Sequence, residues 1–392
     1  MPHCRPPPPD LSCVGRGRAL PPAPGAFAEG DSMGRGPSEL QAQVLAADLC
    51  TACGACLGHC PYLKTLGERV AFIHPCPRDE GRCFEVCPRA SLDPESLDRQ
   101  VLGAPRRHPV LGGHDGLYFA RALDADVRAR GQYGGVATAL TLFALESGLA
   151  GAALVTGGTP TRQPHAVVAR DRDAVLAAAG TKYSACPTLE PLAGLLREGG
   201  EALAVVGRPC QVAAARKVEA HEKNGRLAAL IGIFCFWALA PAFYRFLEGR
   251  PDLQRAIKMD LPKDGDMAFV VNGRAASVPL DEIRPLIRAA CQTCFDPTAE
   301  WADVSVGSTE YDPAWNTLVV RTARGRDLVE RAGAAGALEV RPYPPERIPI
   351  LEEAVQRKKL RVLDALESGR PEAAYLRIPA AQRDAVRAHG RA

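Results

Sequence analysis

Four cysteines stand as Cys50-x₂-Cys53-x₂-Cys56-x₃-Cys60-Pro61. Thiolates at this step suit a [4Fe–4S] cube. Three of them, two residues apart, wrap one cluster, and the fourth, followed by proline, turns away to a second cluster. A structural zinc site also uses C-x₂-C pairs but has no need of a third cysteine at the same step or of the Cys-Pro. A disulfide framework belongs to oxidising compartments.

A second run follows, Cys76-Pro-Arg-Asp79-Glu-Gly-Arg-Cys83-x₃-Cys87-Pro88. It reads as the other half of a two-cluster, ferredoxin-like module with one cysteine missing. By the pairing logic of such modules, Cys50, Cys53, Cys56 and the distant Cys87 hold one cluster, and Cys60, Cys76 and Cys83 hold the other. Asp79 sits three residues after Cys76, where the missing ligand would be. Either its carboxylate ligates iron, or it is a solvated turn residue and the cluster is [3Fe–4S] or water-capped. His59 and His74 lack ligand spacing on both sides and read as ordinary residues.

Later cysteines need a fold to bring them together. Ala202–Val206 (ALAVV) is a strand, Gly207-Arg208-Pro209-Cys210 a turn, Gln211 to about Val218 a helix, and Leu230–Phe234 (LIGIF) a second strand ending at Cys235. This is a βαβ unit with parallel strands. Cys210 and Cys235 then share the carboxyl edge of the sheet, where open α/β sheets bind ligands. Cys291-x₂-Cys294 follows a helix expected over Leu280–Ala290 and precedes a strand over Ala302–Val306. Two plus two thiolates suffice for a third [4Fe–4S] cluster. Singly, Cys210 and Cys235 could be inert core thiols and Cys291/Cys294 a redox dithiol; Cys186 is the reserve ligand. Upstream, Gly131-x₂-Gly134-Gly135-x₂-Thr138 opens an amphipathic helix that stops at Gly148, and Ala152–Thr156 is a buried strand. Glycines opening a helix let backbone N–H groups approach an anion, although a plain helix start explains the same residues.

The chain has 392 residues, 46 % of them hydrophobic, with Lys+Arg 48 against Asp+Glu 45. That leaves no basic footprint for nucleic acid. The apolar run around Leu230–Leu239 is too short to span a membrane, and the first residues lack the apolar core of a signal peptide. Cluster cysteines without an export signal point to the cytoplasm. The expected organisation is a disordered Pro/Gly-rich tail (1–44), an iron–sulfur module (45–102), an α/β domain with a mainly parallel sheet (112–340) and a helical extension (341–392). Asn316–Arg321 and Leu338–Val340 are expected strands flanking a helix near Asp327–Arg331, and Glu352–Ser368 an amphipathic helix.

The order of Gly134-Gly135, Gly180-Thr-Lys-Tyr183, Val206-Gly-Arg-Pro-Cys-Gln211, Gly232-Ile-Phe-Cys235 and Cys291-x₂-Cys294 with Ala302–Gly307 closely resembles the coenzyme F420 hydrogenase/dehydrogenase beta-subunit family. Its relatives include 7-hydroxymethyl chlorophyll a reductase and the ferredoxin-type divinyl chlorophyllide reductases. The resemblance covers roughly residues 48–335. It implies FAD in the α/β domain, two to three clusters exchanging electrons with it, a redox partner subunit or ferredoxin, and F420 or another two-electron acceptor. By the same resemblance Gly134, Gly135, Thr138 and Gly207 lie near the flavin, and Thr181, Lys182 and Tyr183 on the flavin or acceptor side, the last two as catalytic candidates. Arg208 departs from the small hydroxyl residue usual before the Pro-Cys. The Cys76–Cys87 run is unlike the chlorophyll-reducing relatives, which favours an electron-transfer or F420-type oxidoreductase over a tetrapyrrole reductase or a non-catalytic electron-transfer subunit.

Overall fold

The structure, a computed structural model, describes residues 35–66, 69–262, 265–309 and 311–390. A short hairpin, β1 (Leu63–Leu66) and β2 (Arg69–Phe72), sits within the cysteine-rich segment. The rest is built on an eight-stranded sheet. Its strands are β3 (Gly116–Ala122), β4 (Ala152–Gly157), β5 (His165–Ala169), β6 (Leu203–Gly207) and β7 (Leu227–Ile233). After an inserted three-stranded sheet of β8 (Ala256–Asp260), β9 (Met267–Val271) and β10 (Arg274–Val278), it is completed by β11 (Val304–Ser308), β12 (Asn316–Val320) and β13 (Leu338–Pro342).

The order is β13-β3-β12-β11-β7-β6-β4-β5. The middle strands β11, β7, β6 and β4 run parallel, and antiparallel strands extend both ends. The expected βαβ unit is β6, the helix Pro209–Glu222 and β7, with β6 and β7 parallel. These strands read as nearly continuous apolar runs because both faces are covered. Alternation along each strand splits their residues between two cores. Leu154, Leu203, Val205 and Leu230 face one, while Ala153, Val155, Ala204 and Ile231 face the other.

The first of these cores also holds Leu40, Val44, Cys53, Cys56, Cys83 and Val86. The cysteine-rich segment therefore has no core separate from the sheet's. Gly54 shows how close the two come: its φ is +93°, and a Cβ there would stand 2.5 Å from the Pro187 carbonyl oxygen. No L-residue other than glycine fits both conditions easily.

Several expectations need correction. Residues 1–34 of the tail lie outside the described residues, but 35–44 are ordered as part of a helical turn with Leu40 and Val44 buried. The helix expected over Leu280–Ala290 is broken into Leu280–Ile283 and two short 3₁₀ turns, because Pro285 cannot continue it. The helix after β6 starts earlier and runs longer than read, from Pro209 to Glu222, so Cys210 lies in its first turn. The helix expected over Glu352–Ser368 runs from Ile348 to Glu367, and a shorter helix, Ala380–Ala388, follows it. Strands β3 and β5 and the whole inserted sheet were not read from the sequence.

The Pro/Arg-rich stretch after residue 103 is no free linker. Arg106 pairs with Asp98 at 2.9 Å and with Glu300, and Lys359 Nζ lies 2.6 Å from Glu300, all of these side chains being nearly or fully buried. Arg321 donates to the carbonyls of Leu111, Gly113 and Thr298. Burial works against the charge on Glu300, but Arg106 and Lys359 prevail and pull its carboxyl down to about 2. A depressed carboxyl contributes stability that is full above its ordinary value of 4.5 and is lost as pH falls through about 2. Removing one partner of such a buried pair typically costs about 3–5 kcal/mol. Glu300→Gln should lower unfolding stability by about that much at neutral pH, measured by urea denaturation.

Candidate functional site

The carboxyl ends of β4, β6, β7 and β11 frame a cavity of about 300 Å³. Thr156, Gly207, Phe234 and Gly307 line it from those strand ends, and Gly135 and Thr138 from the start of the helix Val136–Glu146. This is the edge at which parallel α/β sheets bind ligands. Gly135 caps that helix at φ 73°. Gly134 does not line the cavity; it packs on β3, where a Cβ would stand 2.8 Å from the Ala120 carbonyl oxygen. Asn316 fixes the helix start, accepting from Val136 N at 3.2 Å and donating to the Gly307 carbonyl at 3.0 Å.

Thr181, Lys182 and Tyr183 all line the cavity. Lys182 Nζ is nonetheless spent locally, donating to the carbonyls of Ala178, Ala179 and Gly180 at the end of the preceding helix. Burial lowers its pKa to about 8. Tyr183 OH donates to Asp260 at 3.2 Å and accepts from Leu261 N at 3.0 Å; Tyr133 OH donates to the other Asp260 oxygen at 3.0 Å. Burial and the neighbouring Asp260 hold the Tyr183 hydroxyl protonated. Asp260 ends β8, so the inserted sheet supplies one wall of the cavity. That sheet has no chemical motif, and nothing in the sequence marked Asp260 or Trp237 as cavity residues.

Gln211 locks the turn between β6 and its helix. Its Oε1 accepts from Arg208 N at 2.9 Å, and its Nε2 donates to the Cys186 carbonyl and to Thr188 Oγ1. Thr188 Oγ1 in turn meets Thr156 Oγ1 at 2.7 Å. The glutamine after Pro-Cys thus sets the position of Cys210 against β4. Cys186 lies at 1 % exposure in the cavity wall.

The cysteines gather in three places. Cys87 presses electrostatically on Cys50, Cys53 and Cys56. Cys60 and Cys76 press on Cys83. Cys210 and Cys291 press on Cys235, and Cys294 on Cys291. The three groups adjoin one another, Cys83 reaching Cys56, and Cys210 reaching Cys50 and Cys53. Cys235 lines the cavity, so the third group opens on it. Asp79 is exposed to solvent.

Burial pushes every one of the shifted thiols up, Cys83 to about 11 and Cys235 to about 12. Burial thus favours the protonated form of these thiols. Backbone amides of Ala52, Arg89 and Ala238 point at the sulfurs of Cys50, Cys87 and Cys291 at 3.4, 3.4 and 3.3 Å, as suits sulfurs carrying charge. Fixed cations stand beside them: Lys217 on the Cys87 carbonyl at 2.9 Å, Arg288 on the Cys50 carbonyl at 2.8 Å and Lys358 on the Cys235 carbonyl at 2.8 Å.

Among the described residues, no three cysteine sulfurs lie within 4.8 Å of one another. One zinc ion with bonds of ~2.3 Å would draw its sulfurs within about 4 Å; a cluster holds them farther apart. The group that does meet that distance is His108, Glu352 and His389. His108 Nδ1 accepts from Val110 N and Leu111 N, so Nε2 carries the proton and donates to Glu352 at 3.0 Å. A histidine ligand needs that nitrogen bare and its other ring nitrogen donating. The trio is a hydrogen-bonded latch that ties His108 and His389 to the helix Ile348–Glu367.

Two family models match the chain, both described as the beta subunit of coenzyme F420 hydrogenase/dehydrogenase: the N-terminal model over residues 117–193 and the C-terminal model over residues 200–346. The coenzyme F420 hydrogenase subunit beta of Methanothermobacter thermautotrophicus is 32 % identical over 262 residues, 64 % of this chain and 93 % of that protein. The coenzyme F420-dependent sulfite reductase of Methanocaldococcus jannaschii is 31 % identical over 306 residues, 73 % of this chain but 46 % of that protein. Among solved structures, a chain of the F420-reducing [NiFe] hydrogenase complex from Methanosarcina barkeri superposes with a TM-score of 0.62 at 28 % identity, covering 66 % of this chain and 94 % of that one. Two adjoining models, a relative matched over nearly its whole length and a shared fold agree: the chain belongs to the coenzyme F420 hydrogenase/dehydrogenase beta-subunit family.

Proposed function

We propose that the protein is an iron–sulfur flavoprotein that passes electrons between a protein partner and a two-electron carrier such as coenzyme F420. The observation that carries this reading is the contiguity of three cysteine groups, the last of which opens on the cavity. Cys60, Cys76 and Cys83 would hold the outer cluster as a [3Fe–4S] or water-capped form, Asp79 being exposed to solvent. Cys50, Cys53, Cys56 and Cys87 would hold the middle one, and Cys210, Cys235, Cys291 and Cys294 the inner one.

The cavity residues fit a flavin head. Gly135 and Thr138 put a helix start at one end, and Arg208 brings a cation whose Nη2 is buried without a partner. The volume, about 300 Å³, is at the small end for ligand sites. A flavin supplies the exchange between one-electron and two-electron chemistry. The chain's own residues position and insulate: Asn316 and Gly135 orient the helix start, Tyr183 and Tyr133 bind the inserted sheet across the opening through Asp260, and Lys182 anchors the loop between.

The likeness to a chain of a hydrogenase complex supports a protein partner as electron donor or acceptor. No helix among the described residues is long and apolar enough to cross a membrane. A reductase of an organic substrate such as a tetrapyrrole would use the same cofactors, and reduced F420 separates the two: it should bleach the flavin band of the F420-type protein and leave that of a tetrapyrrole reductase unchanged.

Anaerobically purified protein should carry about eight to twelve irons per chain with zinc at background; metal analysis finding stoichiometric zinc and little iron would overturn the reading. Cys294→Ser should remove about four irons while the middle cluster's signal persists. Gly54→Ala should do the opposite. It forces the Cys53–Cys56 turn away from Pro187, so iron should fall by about four at the middle site, with reduced thermal stability read by circular dichroism.

A further inference from the structure

Three cations surround the inner cysteine group, and they are not equivalent. Arg89, 3 % exposed, donates to the Ala290 carbonyl at 2.6 Å, to Thr293 Oγ1 at 3.4 Å and to Tyr375 OH. Lys358, 4 % exposed, donates to the Cys235 carbonyl. Both are held by protein oxygens. Arg208 is not. It lies within electrostatic reach of Cys210, Cys235 and Cys291, its side chain lines the cavity, and its Nη2 is buried with no hydrogen-bond partner.

An unsatisfied buried donor on a charged group is costly. The one carboxylate in the cavity wall, Asp260, is taken by two tyrosine hydroxyls. No protein anion therefore answers Arg208 on the cavity side. Arg208 thus has Cys210, Cys235 and Cys291 within electrostatic reach and the cavity beside it. Adding an electron to a cluster adds negative charge, and a fixed cation in a poorly screened interior favours that reduced form.

We propose that Arg208 raises the reduction potential of the inner cluster and offers Nη2 to an electron-rich oxygen of the cavity ligand. The proposal rests on the iron–sulfur reading above. The step it governs is a single electron transfer in which the middle cluster is oxidised and the inner one reduced; no bond changes and no proton moves. A cluster made easier to reduce in this way would hold its electron beside the cavity.

The test is a redox titration of the full-length, anaerobic protein followed by electron paramagnetic resonance, with the inner signal assigned as the one lost in Cys294→Ser. Arg208→Gln should make the inner cluster about tenfold harder to reduce, which is 59 mV for one electron, and leave the other signals in place. Arg208→Lys should restore most of the shift. An unmoved inner midpoint in Arg208→Gln, or an equal shift of every cluster, overturns the proposal. Loss of the inner cluster in both variants overturns it as well, since the role would then be structural. Loss in Arg208→Gln alone, with a normal midpoint in Arg208→Lys, supports it. If Cys294→Ser removes neither iron nor a signal, the iron–sulfur reading itself fails, a result distinct from all of these.

Discussion

Charge on buried sulfur is the constraint to which the rest of the structure answers. An ionised thiol in a protein interior pays a large desolvation penalty, and burial pushes Cys50, Cys56 and Cys235 toward the neutral form. Around them the fold places groups that favour negative charge: amides aimed at three sulfurs, the half-buried side chain of Lys217 and the buried side chains of Arg89 and Lys358. A chain that needed only inert core thiols would have no use for these cations, each of which is itself costly to bury. The arrangement makes sense when the sulfurs share a group of net negative charge.

The sheet is what lets so many such sites adjoin one another. Parallel strands put Cys210 and Cys235 at one edge, and the alternation of strand residues gives the cysteine-rich segment a face to lie on. Gly54 and Gly58 allow that approach, a Cβ on either falling within 2.7 Å of a backbone oxygen of residues 187–190. The buried ionic network of Asp98, Arg106, Glu300 and Lys359 ties the segment leading out of the cysteine region to the loop after Cys294 and to the helix Ile348–Glu367.

The thiol groups were legible because spacing encodes them: C-x₂-C steps are local, and the βαβ pattern of residues 202–235 predicts which distant cysteines meet. The parallel middle of the sheet was legible for the same reason, since strands buried on both faces are continuous apolar runs. What escaped was set by tertiary context. Strands β8 to β10 are short and partly exposed, and Asp260 gains its role only by ending one of them near Tyr133 and Tyr183. Lys182 looked like chemistry in sequence and is a helix-end anchor in space. Gly134 looked like a ligand-binding glycine and serves the packing of β3. Arg208 stood out only as a departure from a familiar motif, and its meaning came from the atom left without a partner.

The shared core has a consequence for how the protein is made. Cys53 and Cys56 are 7 % and 9 % exposed and lie between the cysteine segment and the sheet. Cys50 and Cys87 of the same group are only half-buried. On the iron–sulfur reading, a cluster held by these four would lie between the cysteine segment and the sheet, so loading the cluster and docking the segment would be coupled.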